Sequence, residues 1–306
     1  SRDDPYAAIC GISEDEIRLQ MKDDLGGLAK KLEITPEEAL MKLKENYDGY
    51  HFTSPSPDIY NPFSLLNAFA DGKFGSYWFG SGTPTYLVKM LNKFGVKPSE
   101  IGRRQLKSSV FDAPTETMTD AVPLLYQSGY ITIKDYNKML DLYTLDIPNK
   151  EVRLGLMESL LPYYVNNKTP EATTMVAYLF YDIQNGDMDA ALHRLQEFLS
   201  TIPYCDNTRF EGHYQQVFYI IFSLLGYYVD VEVRTPRGRV DIVLRTKTTL
   251  YVMELKLDKS AGEAMEQIDL KNYPERFALC GLPVVKVAVS FGSERCTIGD
   301  WEIIGC

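Results

Sequence analysis

Two β-like runs in the C-terminal third of the chain carry charged residues where a buried strand would be apolar. The runs are Arg239–Leu244 and Leu250–Lys256. Because side chains alternate faces along a strand, Glu254 and Lys256 share one face with the apolar residues at positions 250 and 252. The five residues between the runs are short and polar enough to close a hairpin. That hairpin would place Asp241 beside Glu254 and Lys256.

These three side chains form a candidate chemical site. Two carboxylates and one ammonium on a half-buried sheet face cost free energy unless they are paired or hold a cation. Two oxygen donors suit Mg²⁺, and a lysine suits a phosphate oxygen or a nascent hydroxide. A solvated hairpin can carry the same residues, so a plain surface face is the alternative. The apolar flanks of the second run favour a central strand, where a solvated face is less common.

Predicted helices lie on both sides of the hairpin. Phe210–Leu225 has apolar residues at helical spacing and carries Glu211 in its first turn. Thr208–Glu211 also fits a capping box, which needs no function, so both interpretations stay open for Glu211. Downstream, Gly262–Cys280 is predicted to be a helix. Polar residues that lie near one side of it, usually a sign of a solvated face, are Gln267, Lys271 and Tyr273.

The order of these features resembles that of the PD-(D/E)XK nuclease superfamily. More narrowly, it resembles the nuclease domain at the C-terminus of a bacterial family of AAA-ATPase-like proteins. The proline in the superfamily's name is absent, because Val240 precedes Asp241. The matching elements are a helix with Glu211, a strand over Tyr228–Val233, Gly238-Arg239-Val240-Asp241, Glu254-Leu255-Lys256 and Gln267-Ile268-x-x-Lys271-x-Tyr273.

The resemblance implies an α/β domain of the restriction-endonuclease-like type, in which helices flank a mixed central sheet. It implies that Asp241, Glu254 and the backbone carbonyl of Leu255 hold Mg²⁺ or Mn²⁺. Lys256 would orient or deprotonate the attacking water, and Glu211 would ligate a second metal or carry a water. The reaction would be hydrolysis of phosphodiester bonds.

Further residues are expected to contact the nucleic acid. Gln267 would hold the substrate backbone or steady Lys256, and it completes the catalytic set. Arg237 and Arg239 belong to a basic rim around the proposed site, for which solubility of a turn region is the alternative interpretation. The expected substrate contacts are Arg237, Arg239, Lys271 and Tyr273.

The rest of the chain resembles the AAA-like part of the same family, so the resemblance covers nearly all of it. No phosphate-binding loop of the form G-x-x-x-x-G-K followed by Ser or Thr is present, and the nearest string is Gly72-Lys73-Phe74. The chain also begins with Ser1. We therefore expect no nucleotide-binding residues here, and ATP binding only through an upstream domain of a longer protein. The matching runs are Cys10–Glu16, Tyr47–Phe52, Tyr60–Ser64, Trp78–Pro84, Gln127–Tyr130 and Ile147–Arg153.

Three regions are predicted along the chain. Residues 1–115 form a helical region that resembles the end of an AAA-ATPase-like domain, with N-caps at Ser13 and Thr35. Residues 116–205 form a winged-helix-like module, with strands over 129–134 and 142–147 joined by a turn at 135–138. A helical hairpin that turns at Asn185–Asp187 completes this second region. Residues 206–306 form the nuclease-like domain.

The charge of the chain is unevenly spread. The whole chain has 32 Lys and Arg against 42 Asp and Glu, a net charge of −10, which argues against a grip on nucleic acid by the whole surface. Residues 206–306 hold 12 basic against 14 acidic residues, or −2, so the nuclease-like region is nearly neutral. The five cysteines have no C-x-x-C spacing, which gives no indication of a zinc site.

The sequence thus predicts a metal-dependent nuclease, acting on DNA in preference to RNA, as the effector part of an ATPase-linked protein. The alternative is a catalytically silent nucleic-acid- or protein-binding module regulated by an upstream ATPase domain. No apolar stretch reaches the ~20 residues that span a bilayer, so we expect no membrane partner and a cytoplasmic location. Self-association into a homo-oligomer is left open.

Overall fold

A computed structural model describes residues 9–53, 56–81, 84–165, 169–202, 213–228, 230–234, 239–270, 281–292 and 297–305. The chain separates into two compact units, Ser1–Ser159 and Leu160–Cys306. The boundary falls inside the helix Lys150–Tyr164, which we call α8. The three regions predicted from the sequence stay a prediction.

Short helices dominate the described part of the first unit. The N-caps predicted at Ser13 and Thr35 are confirmed, since each hydroxyl accepts a hydrogen bond from the backbone N–H of a glutamate three residues on, Glu16 or Glu38. The glutamate carboxylates in turn accept from the cap backbones, which completes two capping boxes. The helices are α1 (Glu14–Gln20), α2 (Lys22–Lys31), α3 (Pro36–Tyr47), α4 (Pro62–Asp71), α5 (Thr85–Lys93), α6 (Ser108–Phe111) and α7 (Val122–Gln127).

A three-stranded antiparallel sheet lies in the same unit, with strands β1 (Arg104–Leu106), β2 (Thr132–Asn137) and β3 (Leu142–Asp146) in the order β1-β3-β2. The predicted hairpin is present, but the position predicted for its turn, residues 135–138, is wrong. The turn lies between the end of β2 at Asn137 and the start of β3 at Leu142. β2 continues to Asn137 because a register shift after Ile133 keeps the strands paired, and Tyr136 stacks on Tyr143 at 4.3 Å. β1 was not predicted. The winged-helix interpretation stays a prediction.

The second unit is built on a five-stranded sheet. The strands lie in chain order, and every neighbouring pair is antiparallel except β6 with β7, which is parallel. A mixed sheet is what the resemblance noted above implies for this part of the chain. The strands are β4 (Asp230–Arg234), β5 (Arg239–Arg245), β6 (Leu250–Leu257), β7 (Val284–Gly292) and β8 (Thr297–Gly305).

Helices cover both faces of this sheet. α12 (Ala261–Leu270) packs on one face, where its buried residues form a cluster with Leu250, Val252 and Ala288. The other face carries α9 (Thr169–Gln184), α10 (Met188–Thr201) and α11 (His213–Leu224). The turn between α9 and α10 lies where it was predicted and contains Gly186 at φ +79°. Within the described residues, no helix has the length and apolarity needed to cross a membrane.

Candidate active site

The β5–β6 hairpin has the register that the sequence predicts. Asp241 is the Cα partner of Glu254, and Arg239 is the partner of Lys256. A tight turn sets this register, because the Thr246 hydroxyl accepts hydrogen bonds from the N–H groups at positions 248 and 249, at 3.3 and 3.0 Å. Residues directly opposite each other on antiparallel strands point to the same face. Asp241, Glu254 and Lys256 therefore lie on one face of the sheet.

Burial separates this arrangement from a solvated surface hairpin. Asp241 is 8% exposed and Glu254 is 1% exposed. The Lys256 side chain is 12% exposed, and its Nζ lies 3.3 Å from Glu254 Oε1. Carboxylates are seldom this buried unless other groups compensate their charge. The alternative of a plain surface face is therefore wrong for these residues.

An apolar layer under α12 borders the site. Leu250 and Val252 share the face of Glu254 and pack against α12. Across the next strand pair, Ala288 is the partner of Glu254 and belongs to the same apolar cluster. Lys286 Nζ pairs with Asp269 on α12 at 2.8 Å, which ties the helix to β7. The carboxylates thus lie beside an apolar layer, where electrostatic interactions are strengthened.

The other expected residues are placed only in part. Gln267 is half-buried on α12, the helix that covers the face of Glu254 and Lys256. Leu255 points its side chain to the opposite face, and its carbonyl lies between Glu254 and Lys256 in β6. Residues that lie outside the described part of the chain, or whose side chain does, are Glu211, Arg237, Arg239, Lys271 and Tyr273.

The donor set fits a hard divalent cation. With both carboxylates ionised, Asp241, Glu254 and the Lys256 ammonium carry one more negative than positive charge among them. A divalent cation offsets such a buried excess, and carboxylate oxygens are the ligands that Mg²⁺ and Mn²⁺ prefer. Among the described residues there is no cluster of three or more His, Cys, Asp or Glu that could hold a metal ion. The described residues therefore supply two carboxylates, Asp241 and Glu254, as ligands for such a cation.

In the first unit, the buried Glu151 carboxylate connects three of the runs that resemble the AAA-like part of the family, namely residues 60–64, 78–84 and 147–153. Its Oε2 accepts a hydrogen bond from Ser64 Oγ at 2.7 Å, and its Oε1 accepts from the N–H groups of Trp78 at 2.8 Å and Phe79 at 3.3 Å. Burial raises the pKa of the carboxyl, and these hydrogen bonds partly oppose that effect. The runs therefore have a structural role that sequence reasoning missed, because their spacing does not show which of them meet.

A cavity of about 330 Å³ lies elsewhere in the first unit. Its lining includes the aromatic side chains of Tyr50, Phe52 and Tyr126, together with Asp112 and Gln127. The described lining contains neither Lys nor Arg. Such a lining suits an uncharged or cationic group better than a phosphate.

Comparison with known proteins identifies a superfamily domain within the second unit. Residues 209–301 match the sequence profile of the PD-(D/E)XK nuclease superfamily, so this part of the chain carries a domain of that superfamily. The chain is also 30% identical, over 315 residues, to an uncharacterised protein in the vnfD 5′ region of Azotobacter chroococcum mcd 1. That alignment covers 98% of this chain and 57% of the relative, so the chain spans little more than half of the relative's length. No solved structure gives a significant match.

Proposed function

We propose that the domain over residues 209–301 is a metal-dependent nuclease that hydrolyses phosphodiester bonds of DNA. The observation that carries this proposal is the pairing of two buried carboxylates, Asp241 and Glu254, beside the Lys256 ammonium on one sheet face. The superfamily match over the same residues supports a nuclease-type activity and a nucleic-acid substrate. The choice of DNA as the substrate is narrower than the nuclease-type activity that this match supports.

Asp241, Glu254 and the Leu255 carbonyl would hold Mg²⁺ or Mn²⁺. When bound, the cation supplies positive charge that offsets the negative charge developing on the phosphate oxygens. The two carboxylates come from neighbouring strands held in register by the 246–249 turn, so their separation is fixed by the backbone. Glu211, which the sequence predicts in the first turn of a helix over 210–225, would add a further oxygen donor.

Lys256 would act on the attacking water or the phosphate. An ammonium has three donors and no acceptor, so it cannot ligate a cation. The side chain of Lys256 is largely buried, and Glu254 holds its Nζ at 3.3 Å. The ammonium is therefore confined beside the carboxylates, where it can orient a water or bind a phosphate oxygen.

The wider proposal concerns regulation. The resemblance of residues 1–205 to an AAA-ATPase-like protein supports an upstream ATPase domain that controls the nuclease. In that case the β2–β3 hairpin, which lies between α7 and α8, would belong to a winged-helix module used for packing. A phosphate-binding loop in the full reading frame would test this part separately.

Cleavage assays test the nuclease proposal. Circular and linear DNA and a matched RNA are incubated with the protein in Mg²⁺, Mn²⁺ or EDTA, and the wild type is compared with Lys256→Ala. We expect cleavage of DNA by the wild type only, and only with a divalent cation. If the wild type cleaves nothing and calorimetry detects no divalent-ion binding, the chain is instead a nucleic-acid- or protein-binding module.

A further inference from the structure

Ser290 lies next to Lys256 on the neighbouring strand. The two residues are Cα partners in the parallel β6–β7 pair. Two residues earlier, Ala288 is the partner of Glu254 and packs under α12, and alternation along β7 gives Ser290 the same face as Ala288. Neighbouring strands are about 4.8 Å apart, so the Ser290 side chain stands about one strand spacing from that of Lys256.

The sheet is irregular at Ser290. Val289 pairs with Trp301 and Phe291 pairs with Ile298, so Ser290 faces two residues of β8, at positions 299 and 300. The extra residue of this β-bulge belongs to β8, and bulges are frequent beside active sites. Ser290 stays half-buried, on the same face as the carboxylates.

Contacts on both faces of the sheet surround Ser290 and its strand. Gly299 of β8 lies against Ser290, and a Cβ on Gly299 would come 3.4 Å from Ser290 Oγ, about van der Waals contact. On the other face, Phe291 packs edge-on against Phe218 with ring centroids 5.2 Å apart. The Asp258 N–H donates to the Phe291 carbonyl at 2.8 Å, which ties the end of β6 to β7 beside Ser290.

We propose that the Ser290 hydroxyl donates a hydrogen bond to a non-bridging phosphate oxygen of the nucleic acid, beside the Lys256 ammonium. This inference rests on the proposed nuclease function. A hydroxyl is a neutral donor of the size that a phosphate oxygen accepts, and serine side chains commonly contact nucleic-acid phosphates. Ser290 adjoins Lys256 across the strands, whereas the partner of Glu254 is Ala288. The hydroxyl is therefore expected to contact the substrate and to contribute little to metal binding.

The test compares Ser290→Ala, Ser290→Thr and Ser290→Cys with the wild type, and uses Ser200→Ala, an exposed hydroxyl on α10, as the matched control. Binding of a labelled DNA oligonucleotide is measured by fluorescence anisotropy in Ca²⁺, Mn²⁺ binding by electron paramagnetic resonance, and cleavage in Mn²⁺. We expect Ser290→Ala to raise Kd and KM for DNA roughly tenfold, a loss near the lower end of the range for a hydrogen bond to a charged group. Mn²⁺ affinity should not change, and Ser290→Thr and Ser200→Ala should behave as the wild type.

Different results overturn different parts. If the wild type cleaves DNA and Ser290→Ala binds it within twofold of the wild type, the Ser290 contact is wrong and the nuclease function stands. If Ser290→Ala loses Mn²⁺ affinity in parallel with DNA affinity, Ser290 supports the metal site and the substrate contact is also wrong. Should Ser290→Ala not fold, Ser290→Cys, which keeps the size and weakens the donor, gives the same two comparisons. A wild type that binds Mn²⁺ yet neither binds nor cleaves nucleic acid overturns both proposals.

Discussion

Asp241 and Glu254 are directly opposite each other across the β5–β6 hairpin, and both are buried on the face that α12 covers. A single register thus fixes the positions of two buried carboxyl groups. A slip of the hairpin by one residue would send one carboxylate to the opposite face, into the layer packed against α11. The turn that sets the register therefore also determines the proposed site.

Lys256→Ala should abolish cleavage and leave Mn²⁺ binding intact, because the ammonium acts on the water or phosphate. Loss of a group that stabilises charge in the transition state costs about 2.7–4 kcal/mol, or roughly 10²–10³ in rate. Single-turnover cleavage and a Mn²⁺ titration measure the two effects. Lys259→Ala, which removes an exposed lysine paired with Glu263, is the control and should cleave at the wild-type rate.

Asp241→Asn should weaken metal binding, because a neutral amide is a poorer ligand than a carboxylate for a hard divalent cation. Raising the Mn²⁺ concentration should restore part of its cleavage activity, and it should restore none in Lys256→Ala. Asp258→Asn, at an exposed position just after β6, should keep the wild-type metal affinity. Equal metal affinity in Asp241→Asn and the wild type would contradict the assigned role of Asp241.

Glu151→Gln should destabilise the first unit. The two carboxylate oxygens accept hydrogen bonds from Ser64, Trp78 and Phe79, whereas a glutamine amide has only one oxygen. Its NH₂ group cannot accept a hydrogen bond, so at least one of these buried donors loses its acceptor. We expect the free energy of unfolding to fall by about 1–3 kcal/mol in a urea titration. Glu116→Gln, at an exposed position in the same unit, should change it by less than about 0.5 kcal/mol.

Asp48 should make the stability of the first unit depend on pH. Burial raises its pKa to about 6 from an ordinary value of 3.8. Between these values the folded state binds the proton more tightly than the unfolded state, so stability falls as pH rises through the window and stays lower above it. Asp48→Asn should remove this slope and raise the free energy of unfolding at pH 7.5 by about 1–2 kcal/mol.

Urea titrations at pH 4.5 and 7.5 measure the effect of Asp48→Asn. The variant and the wild type should differ by more at the higher pH than at the lower one, because pH 4.5 lies inside the window and only part of the effect is present there. Asp135→Asn, at an exposed position on β2, should follow the wild type at both. A wild-type slope that persists in Asp48→Asn would show that another group titrates in this window.

Local chemistry made several elements predictable. The capping boxes at Ser13 and Thr35 depend on residues three positions apart, and the turn at Gly186 depends on three consecutive residues. The β5–β6 hairpin joins strands that are adjacent in sequence, so alternation and a short turn were enough to place Asp241 beside Glu254. Each of these features is decided within about 20 residues, where chain connectivity restricts the partners.

Contacts between distant segments were not predictable in the same way. β1 has three residues and no apolar run, and it becomes a strand only because β3 supplies its hydrogen-bond partners. Glu151 meets Ser64 across 87 residues, which no local pattern records. These features depend on which surfaces pack together, and that choice is made by the whole core.

The sequence by itself determined which side chains alternate onto the face of Glu254 and which residues could cap, turn and pair nearby. Only the tertiary structure decided that β7 lies parallel to β6, that its register puts Ser290 beside Lys256, and that α12 packs on the sheet face that carries the carboxylates. The physical reason is that alternation and capping follow from backbone geometry within a segment. Burial and parallel pairing depend on the free energy of bringing remote segments together, which no single segment contains.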